Sequence, residues 1–258
     1  MRAGVTFLSD ERRPGGVTLA FTERTGGVSE GQWDSLNLGS RCGDDPAKVR
    51  ENRRRALVAL GAGQLEDRLV VPNQVHGDRV LVVDSVEAPA LDKVRAQAEE
   101  GADAIVCTAS QVPVLLCFAD CVPVVLAARG GFAVVHSGWR GTIARISAKA
   151  LGVLCDRTGV RPDEVNAYVG PHVGGRDYEV SQDLLDRFVA DFGPRVRAGE
   201  RRLDLGAAVA AALTDVGADP DRVLDSGLST PREPDRFYSY RAQSGACGRH
   251  GALAVLDI

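Results

Sequence analysis

Four short apolar runs, "ADAIVCT" (102–108), "VPVLLCFA" (112–119), "VPVVLAA" (122–128) and "FAVVH" (132–136), succeed one another with almost no polar interruption. Each is too short for a stable helix, rich in β-branched residues, and continuous rather than alternating. That is the pattern of strands buried on both faces. A sheet of such strands needs cover on each side, from helices or from a second sheet. The four runs are therefore expected to form the sheet core, with "ARGG" between the last two as a hairpin turn whose Gly accepts positive φ.

The flanking segments supply strands and helices in mixed order. "GVTLAFTERTGGVSEGQWDSLNLGS" predicts a strand, a turn and an irregular loop, and "RLVVPNQVHGDRVLVVD" two short strands around a loop carrying His76. "DDPAKVRENRRRALVALG" predicts a helix capped by Asp45, with Pro46 in its first turn and Gly61 at its end. Residues 87–101 form a polar interval. In "TIARISAKALGVLCDRTG", Ile143, Ile146, Ala150, Leu151 and Leu154 recur at helical spacing and Gly159 terminates. "VNAYVGP" and "GRHGALAVLDI" predict strands, "SQDLLDRFVADFG" and "LDLGAAVAAALTDVG" helices, and no repeat period suggests a solenoid.

A chain of 258 residues fits one large α/β domain, here taken as 1–258. The net charge of -4 argues against a nucleic-acid binder. The N-terminal segment lacks the apolar stretch of a signal peptide, and no run approaches the roughly 20 residues that span a bilayer. A cytoplasmic protein without membrane contact is expected. Six scattered cysteines with no CxxC pair then read as reduced thiols rather than a disulfide framework.

Only four histidines occur, at 76, 136, 172 and 250. Cys121 follows one buried strand, His136 ends its hairpin partner, and His76 lies in a loop able to reach the same sheet edge. Two imidazoles and one thiolate make a three-ligand set with an open fourth position, as in catalytic zinc sites. The plainer alternative stays open: Cys121 as a buried hydrophobe, His136 as a hydrogen-bonded strand end, His76 as an exposed loop residue. "HSGWRGT" leads from a strand into a helix, where free N–H groups and Arg140 attract anions, or it is a Gly-rich turn with a solvated Arg. Trp139 is placed either to stack on a planar base or to pack. No P-loop, dinucleotide fingerprint or nucleophile elbow is present.

"FTERTGGVSEGQWDSLNLG", "GDDPAKVRENRRRAL", "NQVHG", "ADAIVCT", "FADCVPVVLA", "HSGWRGT", "GPHVGGRDYEV" and "FYSYR" together resemble the ordered motifs of the YfiH-type family, also called laccase-domain or polyphenol-oxidase-like proteins. The resemblance spans nearly the entire chain. It implies a layered α/β sandwich of mixed β-sheets flanked by helices, and a Zn2+ site on His76, Cys121 and His136. It also implies purine nucleoside chemistry: phosphorolysis of adenosine, inosine and methylthioadenosine, and deamination of adenosine. Arg24, Asn37, Arg140 and Arg241 fall within the motifs and are assigned to substrate or phosphate, the expected partners being purine nucleosides and phosphate.

Two departures mark this chain. His172 stands where the family often has Cys in "GPC", and "GLST" (227–230) where it has "CT". A metal-free Cys-His hydrolase or amidase in peptidoglycan-precursor editing is the alternative activity. The laccase name conflicts with ligand arithmetic, since a multicopper oxidase needs a large His set and a typical blue-copper site adds an axial Met. Four His and no Met beyond Met1 do not provide them, which leaves copper as an adventitious occupant.

Overall fold

The computed structural model describes residues 4–257, so Met1–Ala3 of the N-terminal segment and Ile258 of the last strand lie outside the described residues. In chain order the elements are β1 (Phe7–Leu8), β2 (Val17–Thr22), α1 (Pro46–Leu60), β3 (Val80–Val83), α2 (Ala88–Glu100), β4 (Ala104–Cys107), β5 (Val114–Phe118), β6 (Val122–Ala128) and β7 (Gly131–Ser137). There follow α3 (Trp139–Ile143), α4 (Ile146–Thr158), β8 (Asn166–Val169), α5 (Gln182–Phe192), β9 (Arg197–Gly199), β10 (Arg202–Leu203), α6 (Leu205–Thr214), β11 (Val223–Asp225) and β12 (His250–Leu256).

Two sheets stack between helices. A mixed six-stranded sheet runs β11-β8-β6-β7-β4-β3 and a four-stranded antiparallel sheet runs β1-β2-β12-β5, with β9 and β10 as a separate ribbon. Alternation along the strands explains the layering. Ala104, Val106, Val124 and Val135 meet α4, α5 and α6 on the outer face of the large sheet. Ile105, Val125 and Val134 point inward against Leu19, Val114, Leu116 and Ala254 of the small sheet. Leu115, Leu253 and Val255 on the far face of the small sheet pack on Leu57 and Leu60 of α1. The result is the expected layered α/β sandwich, with the continuous apolar runs covered on both sides as their composition requires.

Several elements differ from the sequence reading. "VPVLLCFA" does not join the other three runs: β5 pairs with β12 in the small sheet, and the chain changes sheets between Phe118 and Val122. The segment before the His76 loop forms only a single bridge, Val70 to Val114, because Pro72 interrupts it. The polar interval 87–101 contains α2, whose Leu91 and Ala98 suffice to dock it. The helix read across "TIARISAKAL" is broken, since Arg145 adopts φ 57 between α3 and α4. The capping of α1 is as expected: Asp45 accepts from the Ala47 N–H and Gly61 ends the helix at φ 88.

Candidate metal centre

Cys121 lies at the crossing between sheets. Asp120, at φ 87, turns the chain there, and its carboxylate accepts from the Thr230 hydroxyl at 2.6 Å and the Arg241 N–H at 2.7 Å. His136 sits one residue from the end of β7, paired across the hairpin with Pro123. The loop ahead of β3 brings His76 to the same edge. The ligand atoms of His76, Cys121 and His136 all lie within 4.8 Å of one another, and they are the one such group of His, Cys, Asp or Glu among the described residues. A tetrahedral zinc with bonds of about 2.0–2.3 Å holds its donors roughly 3.3–3.8 Å apart. A side-chain adjustment of about an ångström in the widest pair, judged against those bond lengths, therefore closes the set.

The surroundings favour an ionised thiol. Burial opposes charge on Cys121, but the adjacent His136, by its charge and by hydrogen bonding, outweighs it and brings the thiol down to about 6. His136 is driven the other way, up to about 9, the Cys121 and Asp103 charges overcoming its own burial. Asp103 is fully buried, and its Oδ1 receives the His136 Nδ1–H at 2.8 Å. Burial pushes Asp103 up, yet the His136 ring and the Gly77 and His76 N–H groups hold it below the usual carboxylate value. With Nδ1 committed, Nε2 is the His136 atom left for a metal.

The triad opens on a cavity of about 640 Å³. Its walls carry five arginines (41, 53, 140, 241 and 249) against a single carboxylate, Asp120. Arg140 lies over the Trp139 ring at 4.8 Å and Arg241 over Tyr178 at 4.8 Å. Neither guanidinium has a described hydrogen-bond acceptor in the protein, which leaves both forks open to an anion. Trp139 is half-buried and lines this cavity.

Other expected site residues are placed elsewhere. Arg24 spends its guanidinium on the carbonyls of Asp34 and Pro234 and lies over Tyr238, away from the cavity wall. Asn37 is buried, its amide bonded to the Gly39 carbonyl and Asp44 and its oxygen receiving the Gly39 and Arg249 N–H groups. His172 is buried with Nδ1 on the Gly170 carbonyl and stands outside the triad. Residues the sequence reading did not single out also shape the cavity. Gln74 bonds both backbone groups of Cys117, fixing the His76 loop to β5, and Arg53 and Arg249 line the end near Leu38 and Cys247. Asp103 carried one signal, a lone acid directly before a fully apolar strand.

A family model described as "Multi-copper polyphenol oxidoreductase laccase" matches residues 18–257. The chain belongs to this family. Among curated relatives of this laccase-like family, a purine nucleoside phosphorylase of Deinococcus radiodurans is 38% identical over 245 residues, covering 93% of this chain and 89% of that one. A purine nucleoside phosphorylase of Mycobacterium tuberculosis H37Rv is 39% identical over 246 residues, covering 93% and 92%. Among solved structures, YlmD from Geobacillus stearothermophilus superposes with TM-score 0.84 at 29% identity over 94% and 93% of the two chains. The Bacillus licheniformis protein YfiH gives TM-score 0.85 at 28% identity over 97% and 96%. The laccase-like family implies metal binding, and the His76–Cys121–His136 group could hold a metal ion.

Proposed function

We propose that this protein is a zinc-dependent purine nucleoside phosphorylase, cleaving adenosine, inosine and methylthioadenosine to the free base and (methylthio)ribose 1-phosphate, with adenosine deamination in the same cavity. The relatives named purine nucleoside phosphorylase, matched over about nine-tenths of each chain, support an enzyme of that kind. The observation that carries the finer reading is one cavity joining a His-Cys-His ligand set to two arginines whose guanidiniums have no acceptor among the described residues. Zinc on three protein ligands supplies a Lewis acid and a hydroxide source near pH 7.

The chain's own residues do the rest. Arg140 and Arg241 hold phosphate against C1′ as its oxygen bonds there and the glycosidic C–N bond breaks, with the excess of arginine stabilising the entering anion. Trp139 and Tyr178 flank the space for a planar base. Deamination adds water at C6, breaks the C6–N bond and releases ammonia, and needs no phosphate. Copper competes for the same N/S donors and is able to occupy them adventitiously. Incubation with adenosine and phosphate, with metal content measured in parallel, tests the proposal: sugar 1-phosphate must form and must stop when zinc is chelated.

One observation favours a second reading. A thiol at about 6 beside a protonatable His is also a nucleophile and base pair, as a metal-free Cys-His hydrolase or amidase in peptidoglycan-precursor editing would need. Amide hydrolysis that survives chelation would select it.

A further inference from the structure

Three successive backbone N–H groups, of Val75, His76 and Gly77, converge on the Asp103 carboxylate at 3.2, 3.0 and 2.8 Å. The fourth donor is His136 Nδ1 at 2.8 Å. An ionised carboxylate offers about four acceptor positions, so these four bonds saturate Asp103. The arrangement is an anion-binding nest of consecutive amides, filled from within the chain.

Register puts the acid there. β4 pairs antiparallel with β7 through Ala104 and Val135, so Asp103 falls opposite His136, whose N–H also donates to the Asp103 carbonyl at 2.7 Å. On the other side β3 runs parallel to β4 through Val80 and Ala104, which places the loop ending at Arg79 beside the same residue. His76 has φ 59, a conformation that non-glycine residues seldom hold without external restraint. The three amide bonds to Asp103 are that restraint.

We infer that Asp103 is the positioning residue of the metal centre: one buried carboxylate sets the ring of His136 and the backbone of His76 together, so that two of the three ligands are prepared before any metal arrives. The inference rests on the reading of the triad as a zinc site. It goes beyond the ligand set because it makes the two histidines a single unit. Asparagine cannot replace the acid in either orientation. An amide nitrogen in place of Oδ2 faces the N–H groups of Val75 and Gly77, and in place of Oδ1 it faces those of His76 and His136.

Zinc titration with a competing chelator, on purified wild type and Asp103→Asn, provides the test. Loss of such an outer partner typically weakens a metal site about 10- to 100-fold, and that is the expected rise in Kd. Leu60→Ala, a core truncation under α1, serves as the control for general destabilisation and should leave Kd unchanged. In the zinc-loaded wild type, nitrogen NMR should show His136 metal-bound at Nε2 and protonated at Nδ1. Amide exchange at 75–77 should be slow in the metal-free wild type, a measurement that stands even if the variant fails to fold. Equal Kd in Asp103→Asn and wild type, or fast exchange at all three amides, overturns the inference. A wild type that binds no zinc but keeps these amides protected sinks the zinc reading and leaves the preorganised loop intact.

Discussion

Cys121 and Arg140 carry the sharpest expectations among single residues. In the metal-free protein Cys121 should be alkylated by iodoacetamide with a midpoint near pH 6, and Cys107, pushed up to about 12 by burial, should stay inert. Peptide mass spectrometry across pH 5–9 reads both, and a Cys121 midpoint at the ordinary thiol value contradicts the ionised pair. Between about pH 6 and 9 the thiol is already ionised and His136 still holds its proton. Zinc binding must therefore release about one proton, and affinity should rise roughly tenfold per pH unit across that window. Arg140→Lys should raise the phosphate concentration required for phosphorolysis several-fold and spare deamination, because a Lys cannot reproduce the bidentate fork. Equal losses in a phosphate titration and a phosphate-free assay would assign Arg140 to nucleoside binding. The meeting of His76, Cys121 and His136 at one sheet edge was legible in the sequence because scarce polar residue types stood at the ends of apolar strands. The contacts of Arg24 were not readable in the same way, since its partners are backbone carbonyls, one of them on Pro234, far along the chain from the motif Arg24 sits in.

At the scale of elements, the turn from β7 into α3 is shaped by what lies beneath it. A Cβ at Gly138 would stand 3.1 Å from the His76 ring and 3.2 Å from Cys121 Sγ, with the backbone itself at an ordinary φ of -75. Gly138→Ala should thus displace ligands without straining the chain, weakening zinc binding about tenfold or more by the same loss of preorganisation. Thermal melting of the metal-free variant should stay near wild type, and an unchanged zinc Kd would show that the triad has slack. Helix α1 could be read to the residue because Asp45, Pro46 and Gly61 act locally. The break at Arg145 could not, because the apolar period of Ile143, Ile146 and Ala150 continues through it. Nor could the transfer of β5 to the second sheet, which depends on its pairing with β12 more than a hundred residues later.

For the whole molecule, the site exists only because the two sheets are stacked. Cys121 lies on the crossing from β5 to β6, His136 belongs to the large sheet and Asp103 directly precedes its strand β4, and Gln74 ties the His76 loop to the small one. Zinc should accordingly stabilise the entire fold. At a hundredfold excess over Kd the gain is about 2.7 kcal/mol, which for a chain of this size amounts to roughly 5–10 °C in Tm. Chelation should remove that increment from wild type and change nothing in Cys121→Ala. The layered class was legible from strands apolar on both faces, whereas the identity of each layer rests on long-range pairing. The most direct test is a balance of products from the zinc-loaded enzyme given adenosine and phosphate. The account predicts free purine base, adenine plus hypoxanthine, and ribose 1-phosphate in equal amounts, lost together on chelation and in Cys121→Ala, and base released without sugar phosphate, or undiminished turnover after zinc is removed, would contradict it.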